Sequence, residues 1–380
     1  MMKKSITILF VLLLNFAICH LEASAQINMY SLTTLGYTFL DNDSAINTMH
    51  RNDDPFNPLR VSLFMDKWIT EDVGVFLEFL WDAGSTPTFM ATKPRINGAY
   101  AVLSPLETEL VRFKIGYMPL PFGTWAPRTY PDRNPLVGIP LMQHYITSLK
   151  SNKLAQNTDE LRTWRDEDGF LTIAYDACWP YGVEVFGFFS DYEYSLAITK
   201  ESMSNPGAFS NDGAQIIARL GARPLWGLRL GISGGYSSYL SEGATGIPKG
   251  TDLESVNQKI IGFDFHYSFA HTNIYSEVIR NWWENPNLEK DLGCSSWYIE
   301  ANQTLLPGLY AAIRIDQLLF DNFTDSTQNS FHWDYNVTRI ESGFGYNFNK
   351  DVLFKLVWQH NDIEDQDTVE LVCTQFVFKL

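Results

Sequence analysis

The sequence contains few cysteines, and their spacing argues against several kinds of site. Four are present among 380 residues. Apart from Cys19 near the N-terminus, they are Cys178, Cys294 and Cys373, an odd and widely spaced set that predicts no disulfide framework. None has the paired Cys or His spacing of a zinc site. We therefore expect no metal centre, and no other motif points to a cofactor.

Basic residues are also scarce. The chain has 28 Lys and Arg against 44 Asp and Glu, which gives a formal net charge of −16. Binding to nucleic acid requires concentrated positive charge to neutralise phosphates. Nucleic acid is therefore not an expected partner.

Long hydrophobic runs are missing after the N-terminal segment. Residues 1–25 contain two lysines, an apolar run over 6–17 and an Ala-Ser-Ala site at 23–25, which is the three-part pattern of a signal peptide. Its apolar run is too short to span a bilayer, and no later run reaches the ~18 residues of a transmembrane helix. We expect residues 1–25 to be a signal peptide and residues 26–380 to form one exported domain.

Short segments that alternate with period two dominate the rest of the chain. One face of each segment is apolar, and the other carries Gly and charges of both signs. Such alternation fits either a soluble sandwich or an outer-membrane barrel. The barrel is favoured because the polar face suits a lumen, the segments reach about ten residues, and short connections alternate with long ones. Examples are residues 111–117, 227–233, 261–269, 309–316 and 352–359.

The connections predict the number of strands. Tight turns are expected at 70–72, 105–107, 179–181, 224–226, 270–271, 306–308 and 349–351, and long connections near 41–57, 83–95, 119–168, 201–212, 240–256, 284–293, 320–333 and 361–367. If residues 182–201 form one strand rather than two, these connections join about 16 strands with both ends on one side. The fold class is therefore all-β, a transmembrane antiparallel β-barrel.

Aromatic residues support this interpretation. Tryptophans gather near both ends of the predicted strands, where the interfacial girdles of a membrane barrel lie. The last residues alternate as expected of a strand that closes a barrel. The tryptophans are Trp179 and Trp226 at short turns, with Trp81, Trp282, Trp283 and Trp358 towards the long loops; the terminal residues are Phe376, Phe378 and Leu380.

Charged residues on the predicted strands are expected to face the lumen, because a charge facing lipid costs about 2–4 kcal/mol near the midplane. Two roles stay open for them: a solvated, salt-bridged wall, or a ring that sets ion preference. A barrel of about 16 strands is expected to leave an aqueous channel. The predicted wall residues are Glu78, Asp82, Arg112, Lys114, Arg229, Asp264, Glu277, Glu300, Arg314, Asp316, Arg339, Glu341 and Lys355.

Two interpretations stay open for the third long connection, residues 119–168, and in the first of them it enters the lumen and narrows it. Six prolines between positions 119 and 140 restrict its backbone, so a long loop can keep one shape. Its expected constriction residues are Arg128, Arg133, His144 and Lys150. The alternative is a surface loop whose arginines contact lipopolysaccharide.

The sequence contains few residues arranged as a catalytic site would require. His144 with Ser148 and His360 with Asp362 are the nearest candidates for a catalytic pair, and neither has a clear third partner. We expect no enzyme activity.

Residues 112–123, with Asn134, Pro135 and Leu136, resemble outer-membrane porins of the phosphate-selective O and P type. The resemblance implies a 16-stranded, often trimeric barrel in the bacterial outer membrane, with both termini periplasmic and with an inward-folding third loop that acts as a constriction. It also implies passive diffusion of small hydrophilic solutes or ions and contact with outer-membrane lipid and lipopolysaccharide. Phosphate-selective members use a basic ladder, and this acidic chain departs from it. The alternatives are a sheath or docking partner for an envelope protein or secreted polymer and, with less support, a hydrolase at the rim.

Overall fold

The computed structural model describes residues 27–39, 59–83, 94–106, 108–167, 169, 171–174, 179–204 and 213–380. The predicted signal peptide and Cys178 lie outside these residues. In the described ranges, no helix combines the length and apolarity needed to cross a membrane.

Sixteen strands form a closed antiparallel barrel, as predicted. Strand β1 pairs with β18 from Leu32 opposite Lys379 to Phe39 opposite Val372, so the C-terminal strand closes the ring. The barrel strands are β1 (Asn28–Phe39), β2 (Leu59–Trp68), β3 (Val73–Ala83), β4 (Arg95–Leu103), β5 (Arg112–Tyr117), β6 (Tyr181–Phe189), β7 (Tyr192–Thr199), β8 (Gln215–Leu225), β9 (Leu228–Ser238), β10 (Asn257–Phe269), β11 (Thr272–Trp283), β12 (Leu292–Leu306), β13 (Leu309–Phe320), β16 (Val337–Asn347), β17 (Val352–Ile363) and β18 (Val369–Lys379).

Smaller elements lie in the connections. Strands β14 (Asn322–Thr324) and β15 (Ser330–His332) pair with each other, and helices α1 (Leu141–His144) and α2 (Thr158–Trp164) belong to the third long connection. Short 3₁₀ turns span Ala126–Arg128 and Leu253–Ser255. We call the barrel end with the tight turns the short-turn end and the opposite end the long-loop end.

The outward face of the barrel is apolar. Along β13 the exposed Ile313 alternates with the fully buried Arg314, and along β11 the exposed Val278 alternates with the buried Glu277 and Ile279. Burying charge and exposing aliphatic side chains is the reverse of a water-soluble barrel surface. It is what a barrel surrounded by lipid requires.

The third connection folds into the barrel. Its residues contact Glu78 of β3, Glu277 of β11, Glu341 of β16 and Lys355 of β17. A single segment reaches such widely separated strands only from inside the ring. The inward-folding third loop is therefore confirmed, and these contacts identify the inward face of each strand.

This segment fills much of the lumen towards the long-loop end with apolar side chains. Trp125, Leu161 and Leu171 are fully buried there against inward residues of the wall such as Trp283 and Leu318. The expectation of a wide aqueous channel is therefore wrong for this part of the barrel. Trp179 and Trp283 are buried on the inside, whereas the other four tryptophans named for the girdles are partly or fully exposed.

Two errors in the predicted strand map cancel. Residues 182–201 form two strands, β6 and β7, joined by a tight turn in which Ser190 has φ 52°. This turn lacks the Gly or Pro that usually marks one. The predicted turn at 179–181 is instead the end of the third connection, which spans 118–180 rather than 119–168. The described residues 171–174 form no barrel strand, and Leu171 makes only an isolated bridge to Thr147.

Gly116 is expected to be indispensable for the β4–β5 pairing. Its φ is +130°, and an added Cβ would lie 2.2 Å from the carbonyl oxygen of Ala99. Backbone strain of this kind costs about 1–3 kcal/mol before any clash. Gly116→Ala should lower the thermal unfolding temperature in detergent, measured by circular dichroism. Gly234→Ala, where the nearest atom is 3.8 Å away, is the matched control and should leave it unchanged.

Candidate functional site

A cluster of fully buried charges lies on the inward face of β12, β13 and β16. Arg314 is its centre: its Nη1 lies 3.1 Å from Glu300, its Nε lies 3.2 Å from Asp316, and its Nη2 bonds to Glu341. Nη2 also donates to the carbonyl oxygen of Gly138 at 2.6 Å. Buried charges are tolerated only when they are paired and hydrogen-bonded. The backbone of the third connection completes this pairing.

Lys355 of β17 holds the same connection at a second point. Its ammonium donates to the carbonyl oxygens of Pro131, Asn134 and Leu136 at 2.6, 2.7 and 2.9 Å. All three hydrogens of the ammonium are thereby used. The proline-rich backbone supplies carbonyl groups that carry no competing internal bonds, so a single lysine fixes a six-residue stretch.

A third anchor joins residues 124–128 to β11 and β12. Glu277 accepts from the backbone N–H and the hydroxyl of Thr124 at 2.8 and 2.7 Å. Arg128 forms an ion pair with Glu300, and its guanidinium lies 3.8 Å from the ring centroid of Tyr275. Together these three sets of contacts hold residues 123–139 against the wall formed by β11, β12, β13, β16 and β17.

Most of the predicted wall residues are on the inward face but are covered. The buried ones are Glu78, Asp264, Glu277, Glu300, Arg314, Asp316, Arg339, Glu341 and Lys355. A solvated wall is therefore the wrong description for this group, because the third connection excludes water from it. Lys114 is paired with Glu184 at 2.6 Å, and Arg112 and the exposed Arg229 lie towards the short-turn end. The side chain of Asp82 lies outside the described residues.

The four predicted constriction residues do not form one ring. Arg128 forms a buried ion pair with Glu300. Arg133 is exposed and lies beside the ring of Tyr130. His144 is the last residue of α1 and is partly buried, whereas the other three residues of this helix are buried. Lys150 pairs with Glu167 and lies 4.9 Å from the ring of Trp164 in α2. Of the four, Arg133 alone borders a cavity on the other side of the third connection.

That cavity has a volume of about 710 Å³. It lies between residues 119–133 and the inward faces of β1–β8, towards the short-turn end. Its polar wall includes Lys114 with Glu184 and Arg219, which bonds to Asp264 at 2.8 Å and to Glu193. On the segment side, Asp132 pairs with Lys379 at 3.3 Å.

The period-two alternation of the sequence does not identify several of the charged residues that border this cavity. Glu184 alternates with Val183 and Val185 and would have been assigned to the wall if residues 182–201 had been divided correctly. Arg219 follows two isoleucines and an alanine, so its strand shows no clean alternation. Asp132 lies in a connection, where periodicity carries no information.

At the long-loop end, Asp325 ties the third connection to the β14–β15 hairpin. It accepts from the hydroxyl and N–H of Thr327 and the N–H of Asn329 and bonds to Arg162 of α2. The hydrogen bonds from Thr327 and Asn329 lower the pKa of Asp325 to about 2. This contribution to stability is complete at neutral pH and is lost only as the pH falls towards that value.

The two candidate catalytic pairs have other contacts. Ser148 donates from its N–H to Asp334 at 2.7 Å, and His360 pairs with Glu370 at 2.5 Å rather than with Asp362.

The fold is shared with known porin barrels at low sequence identity. No protein-family model matches the chain, and no curated protein sequence matches it. Among solved structures it is similar to OmpF of Salmonella typhi in complex with daunomycin, with 11% identity, a TM-score of 0.58 and coverage of 94% of this chain and 98% of the other. It is also similar to an anion-selective porin from Comamonas acidovorans (8%, 0.55, 94% and 99%) and to the trimer form of OmpT, an outer membrane protein of Vibrio cholerae (9%, 0.57, 94% and 100%).

These similarities concern the barrel architecture of porins in general. The finer resemblance to the phosphate-selective O and P type stays a prediction.

Removing the ammonium of Lys355 should release residues 131–139 from the wall. Each buried carbonyl group left without a donor costs about 1–3 kcal/mol. We expect Lys355→Met to speed amide hydrogen exchange in this stretch by at least about tenfold, measured by mass spectrometry in detergent. Lys350→Met, on the exposed turn between β16 and β17, is the control, and equal exchange in the two variants would contradict the anchoring role.

Proposed function

We propose that the protein is an outer-membrane channel for passive diffusion of small hydrophilic solutes or ions, and not an enzyme. The observation that carries this proposal is the closed 16-stranded barrel with an apolar exterior, an inward third connection and a polar-lined cavity on one side of it. The low-identity likeness to porin barrels supports the same function.

The proposed path of solutes through the barrel lies away from the barrel axis, on the side of β1–β8. The wall from β11 to β17 is covered by residues 123–139, whereas the faces of β1–β8 border the cavity. Solutes would therefore pass between the third connection and the β1–β8 wall. In this arrangement residues 119–133 act as the constriction, in place of the wider loop 119–168.

Arg133 is the residue proposed to influence ion preference. The other cations bordering the cavity, Lys114, Arg219 and Lys379, are each paired with a carboxylate. Within the described residues Arg133 has no ion pair; it donates to the carbonyl oxygen of Pro127 and lies 5.9 Å from the ring centroid of Tyr130. Fixed charges near a narrow passage set its preference for cations or anions.

We expect the purified protein to give discrete ohmic conductance steps in a planar bilayer. Arg133→Glu should shift the reversal potential in a salt gradient towards cation preference, because it replaces the unpaired positive charge with a negative one. Lys350→Glu makes the same charge change at an exposed turn and should shift it much less. A bilayer that shows no steps at any voltage would contradict the channel function.

The proposed orientation places the short turns and both termini in the periplasm. Gly243 lies in an exposed connection at the long-loop end with no atom within 4 Å of an added Cβ. An epitope inserted there should bind antibody on intact Gram-negative cells, whereas one at Lys350 should bind only after permeabilisation. The reverse result would contradict the proposed orientation.

A homotrimer is also proposed, by analogy with the trimer form of the Vibrio cholerae protein. Cross-linking in native membranes tests it.

A further inference from the structure

Four aromatic side chains from consecutive strands form an arc on the inward wall. Tyr30 of β1 is the register partner of Phe64 of β2, and their rings stack at 4.6 Å between centroids. Phe76 of β3 and Tyr100 of β4 are paired in the same way at 4.8 Å. Phe64 lies 6.2 Å from Phe76. We call these four residues the aromatic arc.

The third connection extends the arc on both sides. Tyr130 lies 5.3 Å from Phe64, and Trp179 lies 6.1 Å from Phe76. All of these rings border the 710 Å³ cavity. Because they face away from the lipid, the membrane does not account for them. Tyr30 is 47% exposed, and Phe76 and Tyr100 are half-buried, so parts of the rings are open to the cavity.

The rest of the cavity wall offers charged hydrogen-bonding groups, most of which are in ion pairs. Lys114, Arg219 and Lys379 are balanced by Glu184, Glu193, Asp264 and Asp132, and the remaining cation is Arg133. Four cations and three carboxylates border the cavity, and the buried Asp264 is a second partner of Arg219. Paired charges still donate to and accept from hydroxyl groups, and they leave the single charge of Arg133 as the unpaired one in this lining.

We propose that the cavity is a binding site for a neutral carbohydrate, which would make this solute class a cargo of the channel. The faces of aromatic rings carry negative potential and attract positively polarised C–H groups, such as those that cover the face of a pyranose ring. Its hydroxyl groups would meet the charged pairs, where hydrogen bonds are stronger than between neutral groups. The cavity volume lies within the range of about 300–1,000 Å³ that is usual for small-molecule sites.

The inference rests on the proposed channel function, but binding is measured separately from conductance. The full chain in detergent is titrated with maltotriose by calorimetry, with benzoate, a planar anion, as the alternative probe. The same solutes are then added to the bilayer during current recording. Binding of maltotriose in detergent and a reversible, concentration-dependent block of the ion current are expected.

Variants on the two faces of one strand test the aromatic arc. Phe76→Ala removes an inward ring of β3, and Phe79→Ala removes a ring of the same type on the outward face, three residues along. Phe76→Ala should weaken maltotriose binding about tenfold, whereas Phe79→Ala should leave it unchanged. Tyr100→Ala should repeat the loss, and wild-type-like circular dichroism shows that each variant is folded.

The possible results separate the site from the channel. Conductance without maltotriose binding overturns the carbohydrate site and leaves the channel function in place. Binding in detergent without any conductance supports the site and contradicts the channel. Binding of benzoate but not of maltotriose overturns the assignment to a carbohydrate, and equal losses in Phe76→Ala and Phe79→Ala overturn the role of the arc.

Discussion

The interior of the barrel depends on one constraint: charges placed inside a closed wall must be paired. Arg314 and Lys355 have no access to water and satisfy their donors on carboxylates of neighbouring strands and on carbonyl groups of residues 131–138. Removing one partner from such a buried cluster typically costs about 3–5 kcal/mol. The third connection and the β11–β17 wall therefore stabilise each other, and neither would keep its arrangement without the other.

This pairing divides the lumen into two unlike halves. Towards β11–β17 and the long-loop end the interior is filled by a cluster of buried hydrophobic side chains that includes Trp125, Trp283 and Trp333. Towards β1–β8 it stays open and is bordered by aromatic rings and by charged side chains, most of which are in ion pairs. Solute passage and ligand binding are both proposed for the open half of the lumen.

The sequence was sufficient to predict the architecture because alternation and connection length depend on local chemistry. Segments such as 261–269 and 352–359 carry a clear period of two, and the strand total is correct even though the assignments at 179–201 are not. The state of the lumen was not predictable in this way. Whether Glu300 and Glu341 are exposed to water or buried depends on their contacts with Arg128 and Gly138, which lie more than a hundred residues away in a connection without periodicity. Arg133 borders the open cavity, but nothing in its local sequence distinguishes it from Arg128.

The anchors of the third connection also have a consequence for the order of assembly. Lys355 lies 219 residues after Leu136, to whose carbonyl oxygen it donates. Residues 131–138 are synthesised long before β13, β16 and β17 exist, and contacts between such distant residues form late and slowly. The proline-rich segment therefore gains its cationic partners only after β13 and β17 have formed. Its final seating would coincide with closure of the ring by β1 and β18, so that completing the wall and narrowing the interior become a single late event.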